Sequence, residues 1–371
     1  MKKLTQISNF SFIDIFSGLL GTFFWFLLAS FLNTEEYGEI QFYIGIITLS
    51  LGISLIANNN TVIIFESKKK EITSILFYYS LIVATFVSII LFILYSRFDL
   101  ILLLFGMLCS EVFQSYLIGN KSFKKLGIFQ ISQKSLMIFL TILFNLWFDV
   151  NEIIWAIGIS YIPFIIFSCV LLRTTKEFSN FHENLGYIFN NFFIRLISIF
   201  RKNFDKILIV PILGYSVMGE FGLGLQIYLG LNIFSNIIFK FLLVNESTNT
   251  ITKNNQIIIL LISIIISSLG IIFGPIVVPT LFPEFINTAE IIPILSIAVI
   301  PNVLIIIFSA KLLANIQNKI LLIGTIVQTI TYLVSILVLG SLYGLYGIAM
   351  GFLISFVVNA IFIFFANKFI K

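Results

Sequence analysis

Twelve runs of about twenty apolar residues follow one another along this chain, each long enough for a helix to cross the hydrocarbon core of a bilayer. They fall at 11–32, 40–58, 73–95, 99–119, 127–148, 152–172, 186–213, 219–244, 256–281, 287–310, 320–340 and 345–367. Only 11% of the residues are charged and 59% are hydrophobic, against about 25% charged in soluble domains. A chain this apolar must satisfy its backbone polar groups within each segment. The expected fold class is therefore an all-α integral membrane protein of about twelve transmembrane helices.

The positive-inside rule tests that count. With the N-terminus in the cytoplasm, sixteen of the 22 Lys and Arg residues fall on the inner side, in connections, at the span ends beside them or at the termini. They include Lys68, Lys69 and Lys70, the group Lys121, Lys124 and Lys125, and Lys134 as the deepest of them, about two turns into span five. The outer connections carry only Arg97. They and the adjoining span ends hold acids instead, among them Glu35, Glu36, Glu39, Glu220, Glu284 and Glu290. The reading is twelve spans with both termini cytoplasmic, in the plasma membrane. All loops are short, so function resides within the membrane.

Composition also excludes several classes. His182 is the only histidine, and Cys109 and Cys169 both lie in apolar spans. A His-based metal or catalytic centre is ruled out, and a disulfide framework is not expected. The pI near 9.0 arises from lysines beside the membrane, not from a nucleic-acid face. No cofactor, metal or enzymatic activity is expected. The N-terminal span reads as uncleaved.

Span seven is the exception to the apolar rule. The stretch 186–214 carries Arg195, Arg201, Lys202, Asp205 and Lys206. A charge near mid-bilayer costs about 2.5–3.5 kcal/mol on insertion scales, so such a cluster does not serve stability. Arg195, Lys202 and Lys206 project within about 40° of one another on a helical wheel, and Arg201 and Asp205 sit four apart. This span reads as one wall of a positively charged, water-filled cavity. Lys240 follows Asn232, Ser235 and Asn236 at helical spacing on span eight and is a further candidate, with snorkelling to the interface as the alternative.

The two halves resemble each other. With a shift of 195, residues 117–133 and 312–328 match at Asn120/Asn315, Lys124/Lys319 and Gln133/Gln328, among others. With a shift of 181, 32–39 and 213–220 share Leu, Gly and Glu. Six spans per half imply two lobes, 1–180 and 181–371, in one orientation. Transporters built that way bind substrate between the halves.

Phe31-Leu32-Asn33-Thr34-Glu35-Glu36-Tyr37-Gly38 after span one resembles the end of the first helix in polysaccharide flippases. Asp205-Lys206, Leu213-Gly214 and Met218-Gly219-Glu220-Phe221 resemble their seventh helix, with Lys206 for the usual Arg and Phe221 for the usual Tyr. Tyr343-Gly344-Leu345-Tyr346-Gly347-Ile348-Ala349 resembles the approach to their last helix. The group is the lipid-linked oligosaccharide (O-antigen type) branch of the multidrug/oligosaccharidyl-lipid/polysaccharide (MOP) superfamily. The resemblance implies two six-helix, MATE-like lobes around a central cavity. It also implies movement of a polyprenyl-diphosphate-linked glycan to the outer leaflet by alternating access.

The residues converge on the same substrate class. Arg and Lys are the natural partners of phosphate, and Arg195, Arg201, Lys202, Lys206 and Lys240 are the substrate-binding candidates. Asp14, Glu111 and Asp205 are the coupling or ion-pair candidates. Asp14 matches Arg195 under the shift of 181 and reads either as its partner across the cavity or as a helix-start acid favoured by the dipole. Glu111, with Gln114 and Ser115 on its face, reads as a helix–helix hydrogen-bond partner or a proton-coupling site. The expected partners are the lipid-linked glycan and the bilayer, with no nucleic acid, for a monomer working near glycan-assembly enzymes. A cation-coupled exporter is the runner-up, and would favour acids in its cavity. A membrane glycosyltransferase or polymerase would need a long outer loop, which the chain lacks.

Overall fold

A computed structural model describes residues 2–369 except 57, 70–71, 149–151, 174–180, 182, 234–241, 243–252 and 315–316; the side chains of residues 2–15, 173, 253, 314, 318, 368 and 369 also lie outside the description. No strand occurs among the described residues. The α-helices are α1 (Lys2–Phe31), α2 (Thr34–Ser54), α3 (Asn59–Ser67), α4 (Thr73–Tyr95), α5 (Phe98–Gly119), α6 (Phe123–Trp147), α7 (Ile153–Ile159) and α8 (Ile162–Ser168). They continue with α9 (Leu185–Leu231), α10 (Lys253–Leu281), α11 (Ile286–Ile297), α12 (Val299–Ala314), α13 (Asn318–Ser335) and α14 (Ser341–Phe369). Eight helical stretches are long and apolar enough to cross a membrane, or nine if the bent pair α2 and α3 forms one span, among the described residues. Rows of large apolar side chains stand exposed, as at Phe86, Ile90 and Ile93 on α4 and Ile265, Ile272 and Ile276 on α10. Such faces are stable only against hydrocarbon, so the chain is a multi-pass membrane protein.

Local chemistry sets several helix starts. Asn33 and Glu36 form a reciprocal capping box at α2: the Glu36 N–H donates to Asn33 Oδ1 at 2.9 Å and the Asn33 N–H to Glu36 Oε2 at 3.0 Å. The Asn60 N–H donates to the side chain of Asn58 before α3. Two glycines break longer helical runs. Gly214 (φ 86°, ψ 173°) interrupts α9, and Gly344 (φ 58°, ψ −133°) lies within α14. Both conformations are ones that a side chain strongly disfavours. Forty-seven residues of straight helix would span about 70 Å, more than twice the hydrocarbon thickness.

Packing sorts the chain into two compact units, residues 1–27 with 42–204 and residues 28–41 with 205–371. In the first unit, α2–α3 and α5 run parallel, since the Arg97 guanidinium lies over the Tyr43 ring and Asn120 bonds to Glu66 at the far end. Helices α6 and α7–α8 are antiparallel: Gln133 Nε2 donates to Ser160 Oγ at 2.9 Å, and Phe129 packs on Phe164. The first arm of α9 is antiparallel to α2–α3, with Ile199 against Gly52, Asn191 bonded to Asn58 and Tyr187 against Phe65.

The second unit shows related pairings. The second arm of α9 runs parallel to α11–α12, through Glu220 with Thr288, Gly224 with Ile291, and Asn232 with Asn302. Helices α13 and α14 form an antiparallel hairpin across Gly344: Gly324 faces Ile363, Gln328 faces Asn359 and Ser335 faces Gly351. Its core gathers Ile209, Met218, Phe221, Tyr228, Ile291 and Phe352, among others.

Both sequence repeats have structural counterparts. Gln133 and Gln328, matched by the shift of 195, each bridge a helical hairpin of their own unit. The shift of 181 maps Thr34 and Gly38 onto Tyr215 and Gly219. Within the second unit a Cβ on Gly38 would overlap the Tyr215 carbonyl, and one on Gly219 would overlap the Thr34 carbonyl. The contact is reciprocal, as a local two-fold requires. Thr34 and Ser216 share a hydroxyl hydrogen bond of 2.9 Å beside it.

Candidate functional site

The first arm of α9 is held in rotation by its contacts with α2 and α3, and Arg195 then reaches α5. Its guanidinium donates to Glu111 Oε2 at 2.8 Å, with the two side chains 14% and 29% exposed. Arg195 Nε is buried with no hydrogen-bond partner. Glu111 belongs to a polar patch on α5. Gln114 Nε2 donates to Ser110 Oγ, and Gln130 Nε2 of α6 donates to Gln114 Oε1, both at 2.7 Å. An Arg–Glu pair, two glutamines and a serine thus cross three helices inside the first unit. Interhelical polar bonds of this kind are favoured where no water competes.

The other expected residues have separate environments. Arg201 is half-buried, with an unpartnered Nε, and Lys202 is exposed. Asp205 is buried in the second unit. One carboxylate oxygen accepts the Lys206 N–H at 2.9 Å and the other faces the Tyr332 hydroxyl at 3.4 Å. Lys206 is half-buried. Lys240, Ser235 and Asn236 lie outside the described residues, as does the side chain of Asp14, a candidate partner of Arg195.

Two residues have roles that the sequence reading did not assign. Lys134, counted there with the inner-side cations, lies eleven residues into α6, about 16 Å from its start. The α6 helix begins at Phe123, four residues before the span boundary expected at 127. Glu220, read as an outer acid, is buried. Its carboxylate accepts the Thr288 N–H at 2.8 Å, the Asn287 amide at 3.1 Å and the Thr288 hydroxyl. It caps the first turn of α11 from another helix, where the free N–H groups and the helix dipole favour an anion. The Asn287-Thr288 pair at that helix start was the available signal. No group of three or more His, Cys, Asp or Glu placed to hold a metal occurs among the described residues.

No family model matches the sequence, and no curated protein matches it. Solved structures do. One is an inward-facing multidrug resistance MATE family transporter of the MOP superfamily, with a TM-score of 0.71 at 15% identity, covering 95% of this chain and 94% of that one. The lipid II flippase MurJ in an inward closed conformation has a TM-score of 0.71 at 15% identity, over 97% of this chain and 87% of its own. A MOP superfamily transporter from Pyrococcus furiosus, described as having a binding pocket of reversed polarity, has a TM-score of 0.63 at 15% identity, over 98% and 95%. The chain therefore has the fold of the MOP-superfamily transporters, the fold shared by the MATE family transporter and the lipid II flippase MurJ.

Proposed function

We propose that this protein is a flippase that moves a polyprenyl-(di)phosphate-linked oligosaccharide from the cytoplasmic to the outer leaflet of the plasma membrane, by alternating access and without enzymatic chemistry. The observation that carries the reading is the sign of the charge inside the spans. Among the described residues of the first unit, Lys134, Arg195, Arg201 and Lys202 stand within helices, and the carboxylate of Glu111 is paired with Arg195. Positive charge in a low-dielectric region lowers the cost of bringing a diphosphate through it. The long apolar prenyl chain can stay in lipid throughout. Arg195, Arg201, Lys202, Lys206 and Lys240 are proposed to meet the anionic head group, with Asp14, Glu111 and Asp205 as exchangeable counter-ions or coupling groups.

The architecture proposed with it has twelve spans, cytoplasmic termini and two lobes derived from residues 1–180 and 181–371. The parallel pairing of alternate elements supports this. Between two parallel spans an antiparallel one must intervene, and the α13–α14 hairpin turns about Gly344. The protein works as a monomer beside the enzymes that assemble and consume the glycan.

The test uses proteoliposomes loaded with a fluorescent polyprenyl-diphosphate oligosaccharide, read by protection of the glycan from an external glycosidase. Arg195→Gln and Lys202→Gln are expected to slow translocation at least about tenfold, the worth of one charge-assisted contact. Unchanged translocation in both sinks the reading. The MATE likeness motivates a second one, cation-coupled export of small molecules. Efflux of a cationic dye that survives both substitutions, with no lipid-linked glycan moved, would establish that alternative.

A further inference from the structure

The first helix has two faces. Phe16, Leu19, Phe23 and Phe31 project large, exposed apolar groups. Gly18, Gly21, Thr22 and Trp25 share the opposite side by helical spacing. A Cβ on Gly18 would meet nothing within 4 Å, so open space stands over it. A Cβ on Gly21 would meet only Lys134, with Cε at 3.9 Å and Nζ at 4.0 Å. The lysine of α6 thus lays its amine along the glycine face of α1, next to that space.

Lys134 is half-buried, and no hydrogen bond or ion pair engages it among the described residues. Its polar neighbour one turn earlier on α6, Gln130, is committed to Gln114, and the carboxylate of Glu111 on α5 is engaged by Arg195. An ammonium group within an apolar helical bundle is ordinarily paired. Here a cation without a partner, a pair of glycines without side chains and an open space meet at one place.

We propose that Lys134 and the Gly18–Gly21 face of α1 form a phosphate-binding site in the first unit. The glycines make room for an anionic head group, and Lys134 supplies its countercharge. Lys is suited to this as a point charge with three rotatable donors. The site deepens the flippase reading and rests on it for the identity of the natural ligand: a phosphate or diphosphate ester of a long-chain lipid.

The test measures binding of farnesyl diphosphate to the full-length protein in detergent by calorimetry, with thermal-unfolding midpoints to confirm folding. Lys134→Gln is expected to weaken binding about tenfold or more, and Lys134→Arg to keep it within about threefold. Gly18→Leu fills the space without touching a charge and is expected to weaken binding as Lys134→Gln does. Competition by inorganic pyrophosphate but not by farnesol identifies the phosphate as the recognised group; farnesol binding as tightly as the diphosphate overturns the site. Wild-type affinity in a folded Lys134→Gln variant also overturns it. So does a structural ion pair with Asp14, seen as an Asp14→Asn/Lys134→Gln double variant more stable than either single and still binding the diphosphate. The two readings fail separately. Binding through Lys134 with no glycan moved sinks translocation and leaves the site standing. Translocation lost in Lys134→Gln with binding intact sinks the site.

Discussion

At the scale of single residues, the decisive groups are charges that water does not reach freely. Arg195 and Glu111 stabilise each other across 84 positions of sequence. Removing one partner leaves the other charge unpaired in a poor dielectric, a change that costs about 3–5 kcal/mol when burial is complete and less at the partial exposure found here. Glu111→Gln and Arg195→Gln are each expected to lower the thermal-unfolding midpoint in detergent. The double substitution is expected to lower it less than the sum of the two, with a coupling of about 0.5–3 kcal/mol. Strict additivity would show that the pair contributes nothing. Glu220 is the second such residue. Glu220→Gln keeps the shape but removes the charge that meets the start of α11, so a loss of about 1–2 kcal/mol is expected in denaturant or thermal unfolding. From the sequence, a charged residue in an apolar run could be recognised at both sites. Its partner could not, because partner choice depends on helix rotation, and the shift of 181 pointed from Arg195 to Asp14 instead.

Among the helices, small residues decide how closely neighbours approach. Gly38 and Gly219 sit where backbone meets backbone, and a methyl group on either would overlap a carbonyl oxygen. Backbone cannot step aside as a flexible side chain can. Gly38→Ala and Gly219→Ala are therefore each expected to destabilise by about 1–3 kcal/mol or more, by the mechanism of overpacking. Gly230, on the second arm of α9, would place a Cβ in open space. Gly230→Ala is expected to leave stability unchanged or raise it by up to about 1 kcal/mol through helix propensity. Size-exclusion profiles and melting midpoints of the three variants check the contrast; three equal midpoints would discard it. Gly38 and Gly219 stood in the sequence as one matched position of a weak repeat, and nothing in the pattern said that the two copies touch.

For the whole molecule, the prediction concerns topology. In a background of Cys109→Ser and Cys169→Ser, a cysteine at Lys124 is expected to react with a membrane-impermeant thiol reagent only after permeabilisation, and one at Glu284 in intact cells. Both positions are exposed at element ends. Labelling of the two from the same side would break the twelve-span reading. By packing, residues 28–41 join 205–371, and the first arm of α9 up to residue 204 joins 1–27 and the helices after residue 42. Packing follows the faces that helices bury, so a segment can join helices distant from it in the chain.

Hydropathy alone determined that this chain is helical and crosses a membrane many times, because hydrocarbon tolerates no unpaired backbone and few charges. Spacing of polar residues added that Gln133 and Gln328 occupy equivalent places and that span seven is set apart by its charges. Tertiary structure alone decided that Arg195 meets Glu111, that Glu220 caps α11, that Gly38 and Gly219 share one contact, and that Lys134 lies against the glycine face of α1. Each depends on the rotation of one helix about its axis relative to another. That rotation is set by the sum of many apolar contacts, and in a chain where nearly every residue is apolar the linear pattern leaves it open.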